Sequence, residues 1–380
     1  MKIHLVFPRL PPTPDGIGDY TARLAVTLAG RCDVKALTAQ EESEPIPNVT
    51  IQPAFSIVQR RGVWGLLNAV AADPPDWLVL QYNPFSYGRW GFNLHLPRVL
   101  HALKRKHPNV RCALMVHEIA PPLLNWRLAL MTTWQLAQLW MLGRAADVIF
   151  TAIDPWVNSF RRWFRNTPVA HLPVGSNMLH VPVMRKEARR RLGLKDPTFV
   201  IGVFGTAHPT RLLHFVRIAA EAIQQETKDV LVLYVGPDGT QVQRQLGDLP
   251  LKDAGRVPHA DASRYFGAMD VCLAPFRHGV STRRGSFMAA LQHGVATVST
   301  HGRQTDTVLH QANGQAFLLA PDHDPDAYLH HACRLFREPR RRAEMAQAGR
   351  VLYRNTFEWE VIATRLLTVL EHAGRTPLPV

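Results

Sequence analysis

The chain has 380 residues, of which 46% are hydrophobic, and its 44 lysine and arginine residues outnumber 30 acidic ones, so the formal net charge is +14. This length suggests two or three domains of about 150 residues each, with enough apolar residues to bury a large core. The four cysteines are scattered without a Cys-x-x-Cys pair, which argues against a disulfide scaffold and indicates free thiols in a reducing cytoplasm.

Short apolar runs alternate with helical patterns in the first half of the chain. We predict strands at residues 3–7, 34–38, 77–81, 113–117 and 148–151, and helices near residues 19–28, 65–72, 94–106 and 126–142. Short strands without polar alternation, separated by helices, are typical of a parallel sheet covered on both faces.

The second half repeats this design. We predict strands at residues 199–204, 230–235, 271–274, 296–299 and 316–319, and helices at residues 212–225, 262–268, 287–293, 326–336 and 358–372. The fold class is therefore α/β, with two doubly wound Rossmann-like domains. We place the first domain at residues 1–175, the second at 176–355, and a C-terminal helix that returns to the first domain at 356–380.

The basic excess lies partly in three runs, at residues 98–111, 185–191 and 337–342. The sequence has no nucleic-acid recognition signature and the runs lie far apart, so we expect no specific nucleic-acid partner. Solvated faces are the simplest interpretation. Attraction to an anionic membrane or to a negatively charged substrate is the alternative, and it would place a cytoplasmic protein at the inner face of the membrane.

Residues 128–142 form a long stretch without charged residues. This stretch is too short and too polar to span a bilayer. We therefore predict a helix packed in a core.

A glycine-containing loop follows the first strand. Gly16 and Gly18 would let the backbone approach a ligand, and Asp19 and Tyr20 open the next helix, with Asp19 as its expected cap. A nicotinamide dinucleotide fold is the rival interpretation. It fails because Thr21 stands at the third glycine position of G-x-G-x-x-G and the loop is much longer than a tight strand-to-helix turn.

His117 and Glu118 lie at the carboxyl end of the predicted strand at residues 113–117. Functional side chains of parallel sheets are found at this end of the strands. A histidine at this position can contact a hydroxyl or a developing charge, and a carboxylate can accept hydrogen bonds from sugar hydroxyls. A histidine satisfied by local hydrogen bonds is the structural alternative.

A similar loop follows the first strand of the second half. Gly205, His208 and Arg211 combine a small residue, an imidazole and a cation before a helix, which suits a diphosphate. A solvated arginine at the helix start is the structural alternative for Arg211.

The loop at residues 276–286 is the most informative segment. Ser281, Arg283, Arg284, Gly285 and Ser286 supply donors suited to phosphate or sugar hydroxyls at a helix start. We expect Arg283 or Arg284 to approach a diphosphate and Thr282 to tolerate substitution better. The alternative is a surface loop with a solvated arginine pair.

The sequence lacks the H-E-x-x-H, G-x-S-x-G and P-loop motifs. We therefore expect no metal ligands and no resident cofactor.

Together these motifs resemble those of bacterial glycosyltransferases of the GT-B fold, most closely family 4. The resemblance covers nearly the full length and rests on the order and spacing of seven segments, at residues 7–20, 116–118, 172–177, 204–211, 234–239, 268–281 and 357–363. It implies sugar transfer from a nucleotide-diphosphate sugar to a glycan, a lipid-linked or a small-molecule acceptor, with retention and without metal. The donor would lie on the second domain and the acceptor on the first, with Asp19 and Tyr20 on the acceptor side.

The resemblance also implies roles for individual residues. Gly16 and Gly18 match the family's glycine loop near the phosphates, and His117 matches its histidine near the donor sugar. Arg211 lies close to the position where the family has a lysine that neutralises the diphosphate. The family usually has two glutamates separated by seven residues, and Ser281 and Ala289 occupy those positions. We expect Arg283, Arg284 and Ser286 to compensate. A catalytically silent protein that binds nucleotides or glycans is the alternative.

Overall fold

The computed structural model describes residues 1–59, 61–120 and 126–375. The chain forms two compact units. Unit 1 comprises Met1–Pro173 together with the segment that begins at Trp359, and unit 2 comprises Val174–Glu358.

Unit 1 is built on a seven-stranded parallel sheet with the strand order β3-β2-β1-β4-β5-β6-β7. All six residues of β4 are buried, as expected for a strand covered on both faces. The elements in chain order are β1 (Lys2–Val6), α1 (Gly16–Ala29), β2 (Asp33–Thr38), β3 (Thr50–Pro53), α2 (Gly65–Ala72), β4 (Trp77–Tyr82), α3 (His95–Lys106), β5 (Arg111–Val116), α4 (Trp126–Ala145), β6 (Val148–Thr151), α5 (Pro155–Trp163) and β7 (Val169–His171).

Unit 2 is built on a six-stranded parallel sheet with the strand order β10-β9-β8-β11-β12-β13. Its elements are α6 (Arg185–Arg191), β8 (Phe199–Phe204), α7 (Leu213–Glu226), β9 (Val230–Val235), α8 (Gly239–Leu246), β10 (Leu251–Asp253), α9 (Ala262–Ala268), β11 (Val271–Ala274), α10 (Gly285–Gln292), β12 (Thr297–His301), α11 (Thr307–Ala312), β13 (Leu318–Pro321), α12 (Pro325–Arg337) and α13 (Pro339–Thr356). The strand order of each sheet reverses beside its first strand, between β1 and β4 and between β8 and β11. Loops at such a switch point leave a crevice at the carboxyl ends of the strands.

The last helix, α14 (Trp359–Arg375), belongs to unit 1 and packs against α1. Arg31 at the end of α1 contributes to this contact by pairing with Glu360 at 2.5 Å. The prediction of two doubly wound Rossmann-like sheets is confirmed. The sequence prediction missed the short strands β3, β7 and β10, all of which lie at sheet edges.

The basic run at residues 185–191 is only partly solvated. Arg189 is buried and donates to Asp270 Oδ2 at 2.7 Å, and Arg185 donates to Oδ1 at 2.6 Å. Arg342, from the third basic run, lies 3.6 Å from the same carboxylate. The expectation of simple solvated faces is therefore wrong for these three arginines, because they neutralise a buried aspartate that also accepts from the backbone N–H of Val200.

The prediction that residues 128–142 form a core helix is only half correct. The second half of α4 buries Gln138, Leu139 and Leu142, whereas Trp126, Leu130 and Trp140 are exposed. Within the described residues, no helix combines the length and apolar character needed to cross a membrane.

Candidate functional site

An aspartate within the glycine loop of unit 1 accepts hydrogen bonds from the backbone of the same loop. Asp15, not Asp19, caps α1, and its Oδ1 accepts from the backbone N–H groups of Ile17 at 2.9 Å and Gly18 at 3.2 Å. Its other oxygen accepts from Arg9 Nε at 2.9 Å. Asp19 lies in the first turn, where a carboxylate interacts favourably with the helix dipole. The start of α1 therefore already holds an anion.

The two glycines of this loop differ in their surroundings. Gly18 is buried, and a Cβ there would collide with the backbone carbonyl of Arg9. Gly16 is exposed, and a Cβ there would meet no atom. Only Gly18 is sterically required to be glycine.

Tyr20 packs against the ring of His117. The ring of Tyr20 lies edge-on to His117 with 4.8 Å between centroids, and it lies 5.3 Å from the ring of Trp359. Tyr20 is almost fully buried, and burial raises the pKa of its hydroxyl. This placement gives Tyr20 a role in positioning the histidine, whereas the sequence suggests a contact with the acceptor.

His117 sits at the carboxyl end of β5 and is bonded to the neighbouring strand. Its Nε2 lies 2.8 Å from Gln81 Oε1, which accepts the hydrogen bond. Both side chains are buried, while Glu118 is half-buried beside them in the chain. Gln81 was missed by the sequence analysis, although a polar residue near the end of the apolar strand β4 was a visible signal.

Arg211 occupies the switch point of unit 2. It is 7% exposed, and its Nη2 donates to the carbonyl of Phe204 at 2.7 Å and contacts Ser286 Oγ at 3.3 Å. Its Nε and Nη1 have no hydrogen-bond partner among the described residues. Burial lowers the pKa of this guanidinium. Arg211 is therefore a buried cation with unused donors.

Gly205 makes room for this arginine. It adopts a φ of +100°, a conformation that favours glycine, and a Cβ there would lie 3.2 Å from Ser286 Cβ and 3.3 Å from Arg211 Nη2. His208 is exposed, and its Nδ1 lies 2.9 Å from Thr210 Oγ1. His208 and Arg211 line the same cavity.

The two arginines of the loop before α10 point to different neighbours. Arg284 contacts Thr210 Oγ1 at 3.4 Å, whereas Arg283 contacts Gln304 at 3.1 Å. The guanidinium carbons of Arg284 and Arg211 lie 4.8 Å and 5.0 Å from the ring centre of Phe276. Phe276 is thus a shared aromatic contact for two cations, which the sequence analysis did not identify.

The hydroxyl residues of this loop have unequal roles. Thr282 is fully buried, and Asp306 accepts from its backbone N–H at 2.7 Å and from its hydroxyl at 2.9 Å. These bonds predict a loss of stability when Thr282 is replaced, whereas the expectation that nucleotide binding tolerates the change stays a prediction. Ser281 is also fully buried, but its Oγ has no hydrogen-bond partner among the described residues. Ala289 is buried in α10.

The structure thus forms two separate groups of predicted residues. In unit 1 it brings Tyr20 and His117 into contact, with Glu118 next to His117 in the chain and with Gly16, Gly18 and Asp19 in the first turn of α1. In unit 2 it brings Gly205, Arg211, Arg284 and Ser286 together, with Gly285 as the first residue of α10. The described residues contain no group of three or more His, Cys, Asp and Glu that could hold a metal ion.

Comparison with known proteins supports this assignment of motifs. Residues 198–338 match the family model described as Glycosyl transferases group 1. The chain is 28% identical over 205 residues to a D-inositol 3-phosphate glycosyltransferase of Thermomonospora curvata, which covers 50% of this chain and 46% of that protein. It is 25% identical over 253 residues to a GDP-mannose-dependent monoacylated alpha-(1-6)-phosphatidylinositol monomannoside mannosyltransferase of Corynebacterium glutamicum, covering 62% of this chain and 64% of that protein.

The fold extends further than the sequence similarity. Sucrose-phosphate synthase from Thermosynechococcus elongatus superposes with a TM-score of 0.75 at 18% identity, covering 98% of both chains. The matched segments span about half to two thirds of the length of the two curated relatives. The predicted resemblance to family 4 is confirmed, because the chain is similar in sequence to group 1 glycosyltransferases over part of its length and has the GT-B fold.

Proposed function

We propose that the chain transfers a sugar from a nucleotide-diphosphate donor to an acceptor, with retention and without a metal ion. The observation that carries this proposal is Arg211, a buried guanidinium whose Nε and Nη1 have no partner among the described residues. Arg211 lies at the carboxyl end of β8, beside the switch point of the sheet. Ligands of α/β sheets bind at this position. A diphosphate would supply the acceptor atoms that this cation lacks.

The surroundings of Arg211 suit a leaving nucleoside diphosphate. Arg284 shares the Phe276 ring with Arg211, so a second cation stands at the same edge of the sheet. The first N–H groups of α10 begin at Gly285, beside Ser286, which contacts Arg211. Cations and helix N–H groups stabilise the negative charge that grows on the diphosphate as the glycosidic bond breaks.

We assign the donor to unit 2 and the acceptor to unit 1. In unit 1, the start of α1 is already occupied by the Asp15 carboxylate, so Gly16 and Gly18 support the fold of the loop more than they attract phosphate. His117 and Glu118 remain the groups proposed to contact reacting hydroxyls. The acceptor is proposed to be a glycan, a lipid-linked precursor or a small molecule, and peripheral contact with an anionic membrane is part of this proposal.

A second candidate is a catalytically silent protein that binds a nucleotide or glycan. It is favoured by Ser281 and Ala289, which are both buried and provide no carboxylate at the two positions where the family usually has glutamate. Ser281 Oγ, which has no partner among the described residues, can still accept or donate one hydrogen bond to a ligand.

Two measurements separate these candidates. The first is the shift in melting temperature with UDP-, GDP- and ADP-sugars, which we expect for one base and which Arg211→Met should abolish. The second is release of nucleoside diphosphate with a panel of glycan, lipid-linked and small acceptors. Acceptor-dependent release establishes the transferase, and binding without release across the panel supports the silent protein. No binding of any nucleotide rejects the transferase and leaves only a silent protein that binds a glycan.

A further inference from the structure

The exposed side of α4 is largely apolar. Trp126, Leu130, Ala137 and Trp140 recur with Thr133 and Arg144 at spacings of three and four, so these residues lie along one stripe of the helix, and all six are exposed. Trp126 is 71% exposed and Trp140 is 50% exposed. A surface helix normally presents polar side chains to water, so this stripe requires an explanation.

A neighbouring segment adds to the same surface. Trp90 is 61% exposed, and its carbonyl accepts from Trp134 Nε1 at 3.2 Å and from Gln135 Nε2 at 3.0 Å, both on α4. Phe92 packs edge-on against Trp134 with 6.3 Å between the centroids. Residues 89–92 are therefore attached to α4, and their aromatic rings extend its apolar surface.

Each of the three exposed tryptophans of this surface has an arginine packed against its ring. The guanidinium carbons of Arg89, Arg127 and Arg144 lie 5.1 Å, 5.4 Å and 5.3 Å from the rings of Trp90, Trp126 and Trp140. We call these six residues the Trp–Arg face. Indole rings and arginines with apolar stems are the side chains that favour the boundary between lipid headgroups and acyl chains.

The sequence around the Trp–Arg face is almost free of acid. Residues 77–146 contain eight lysines and arginines and one acidic residue, Glu118, so they carry +7 of the total formal charge of +14. Among these, α3 packs against α4 and ends with Lys104, which pairs with Asp147 at 2.7 Å, and with the exposed Arg105 and Lys106. This segment is therefore the part of unit 1 that an anionic surface would attract most strongly.

We propose that the Trp–Arg face binds an anionic lipid bilayer, with the three indoles at headgroup depth and the three arginines on lipid phosphates. The proposal deepens the membrane contact of the proposed function, because it places that contact on α4 and residues 89–92 instead of on the basic run at 98–111 alone. A second copy of the chain is a poorer partner, because each copy would bring three arginines to the other.

Flotation with vesicles tests the proposal without any nucleotide, so it can fail independently of the transferase. We expect binding to vesicles of phosphatidylcholine that contain about 30 mol% phosphatidylglycerol, which mimic an anionic leaflet. We expect no binding to vesicles of phosphatidylcholine alone. Replacing Trp126 and Trp140 together by alanine should reduce binding at least about tenfold. Reversing Arg127 and Arg144 to glutamate should reduce it by more and weaken its dependence on salt.

Matched variants control for nonspecific effects. Trp163→Ala removes an exposed tryptophan of α5 outside the face, and Arg340→Glu reverses an exposed arginine of unit 2. Both should bind vesicles like the wild type, with melting temperatures verified for every variant. Equal binding by the Trp126/Trp140 variant and the wild type would overturn the proposal. So would a wild-type dimer in sedimentation that this variant dissociates, since the face would then join two copies.

Discussion

Two groups of arginines lie at opposite ends of the unit 2 sheet. At the amino end, Arg185, Arg189 and Arg342 surround Asp270, which precedes β11. At the carboxyl end, Arg211 hydrogen-bonds to neutral oxygens and retains unpartnered donors among the described residues. The difference teaches that a buried cation has a structural role where a carboxylate satisfies it and a binding role where the fold leaves its donors available.

The largest effect should come from the amino end. Asp270→Asn removes the buried counter-ion of Arg189 and leaves only the exposed Asp196 carboxylate, and breaking such a buried pair costs about 3–5 kcal/mol of unfolding free energy. Urea denaturation measures this loss. Asp196→Asn is the matched control, because the exposed Asp196 carboxylate also pairs with Arg189 and should cost less than about 1 kcal/mol. Equal losses in the two variants would contradict the structural role of Asp270.

At the carboxyl end we expect a loss of binding more than of stability. Arg211→Met keeps much of the packed stem but removes the charge, and it should weaken nucleoside diphosphate binding by about tenfold to a hundredfold, the equivalent of 1.5–3 kcal/mol. Calorimetric titration measures the affinity, with Arg340→Met as an exposed control. Unchanged affinity would remove Arg211 from the donor site and with it the comparison between the two ends.

Substitution of Thr282 tests whether its hydrogen bonds to Asp306 stabilise the loop before α10. Thr282→Val removes the hydroxyl that donates to buried Asp306 and should cost about 1.5 kcal/mol of unfolding free energy. Ser281→Ala should change stability by less than about 0.5 kcal/mol, because its hydroxyl has no partner among the described residues. The reverse order would show that Ser281 supports the loop.

The smallest expected effect depends on pH. Burial against Phe266 lowers the pKa of His293 from 6.5 to about 4, so the folded state holds a neutral imidazole. The unfolded chain binds a proton near pH 6.5, so this contribution to stability is complete above that pH and is lost as the pH falls from 6.5 towards 4. At pH 5.5 the loss is about 1 kcal/mol.

Urea denaturation at pH 7 and pH 5.5 measures this effect, with His293→Gln as the reference that should show a shallower pH dependence. Arginines keep their charge over this range. The Asp270 cluster should therefore contribute equally at both values, which separates acid sensitivity from the arginine contacts. Identical pH dependence in wild type and variant would contradict the assignment to His293.

The sequence allowed the central strands to be predicted because their apolar runs are continuous. β8 and β9 match the predicted bounds, whereas β10, with the sequence LKD, has one apolar residue in three and gives no such signal. The exposed side of α4 was missed for a related reason. Apolar residues at helical spacing indicate a helix, but the same pattern fits a core and an interface.

The individual site residues were easier to predict than their partners. Gly205, Arg211 and Ser286 follow from their places after a strand or at a helix start. The contact of Arg211 with Phe276 and the bond of Gln81 to His117 join residues that lie 65 and 36 positions apart. Such contacts depend on strand order, which the local pattern of residues does not specify. The choice between Asp15 and Asp19 as cap depended on where the helix begins, and sequence patterns locate helix ends poorly.

The return of α14 to unit 1 has a consequence for the order of synthesis. In the chain, unit 2 lies between the sheet of unit 1 and the last helix of unit 1. The rings of His117 and Trp359 both pack against Tyr20. A ribosome therefore releases the strands of unit 1 long before the residue that completes the surroundings of its histidine. Until Trp359 emerges, the nascent first unit exposes the side of Tyr20 and α1 that this helix covers, and a chaperone would find an apolar surface there.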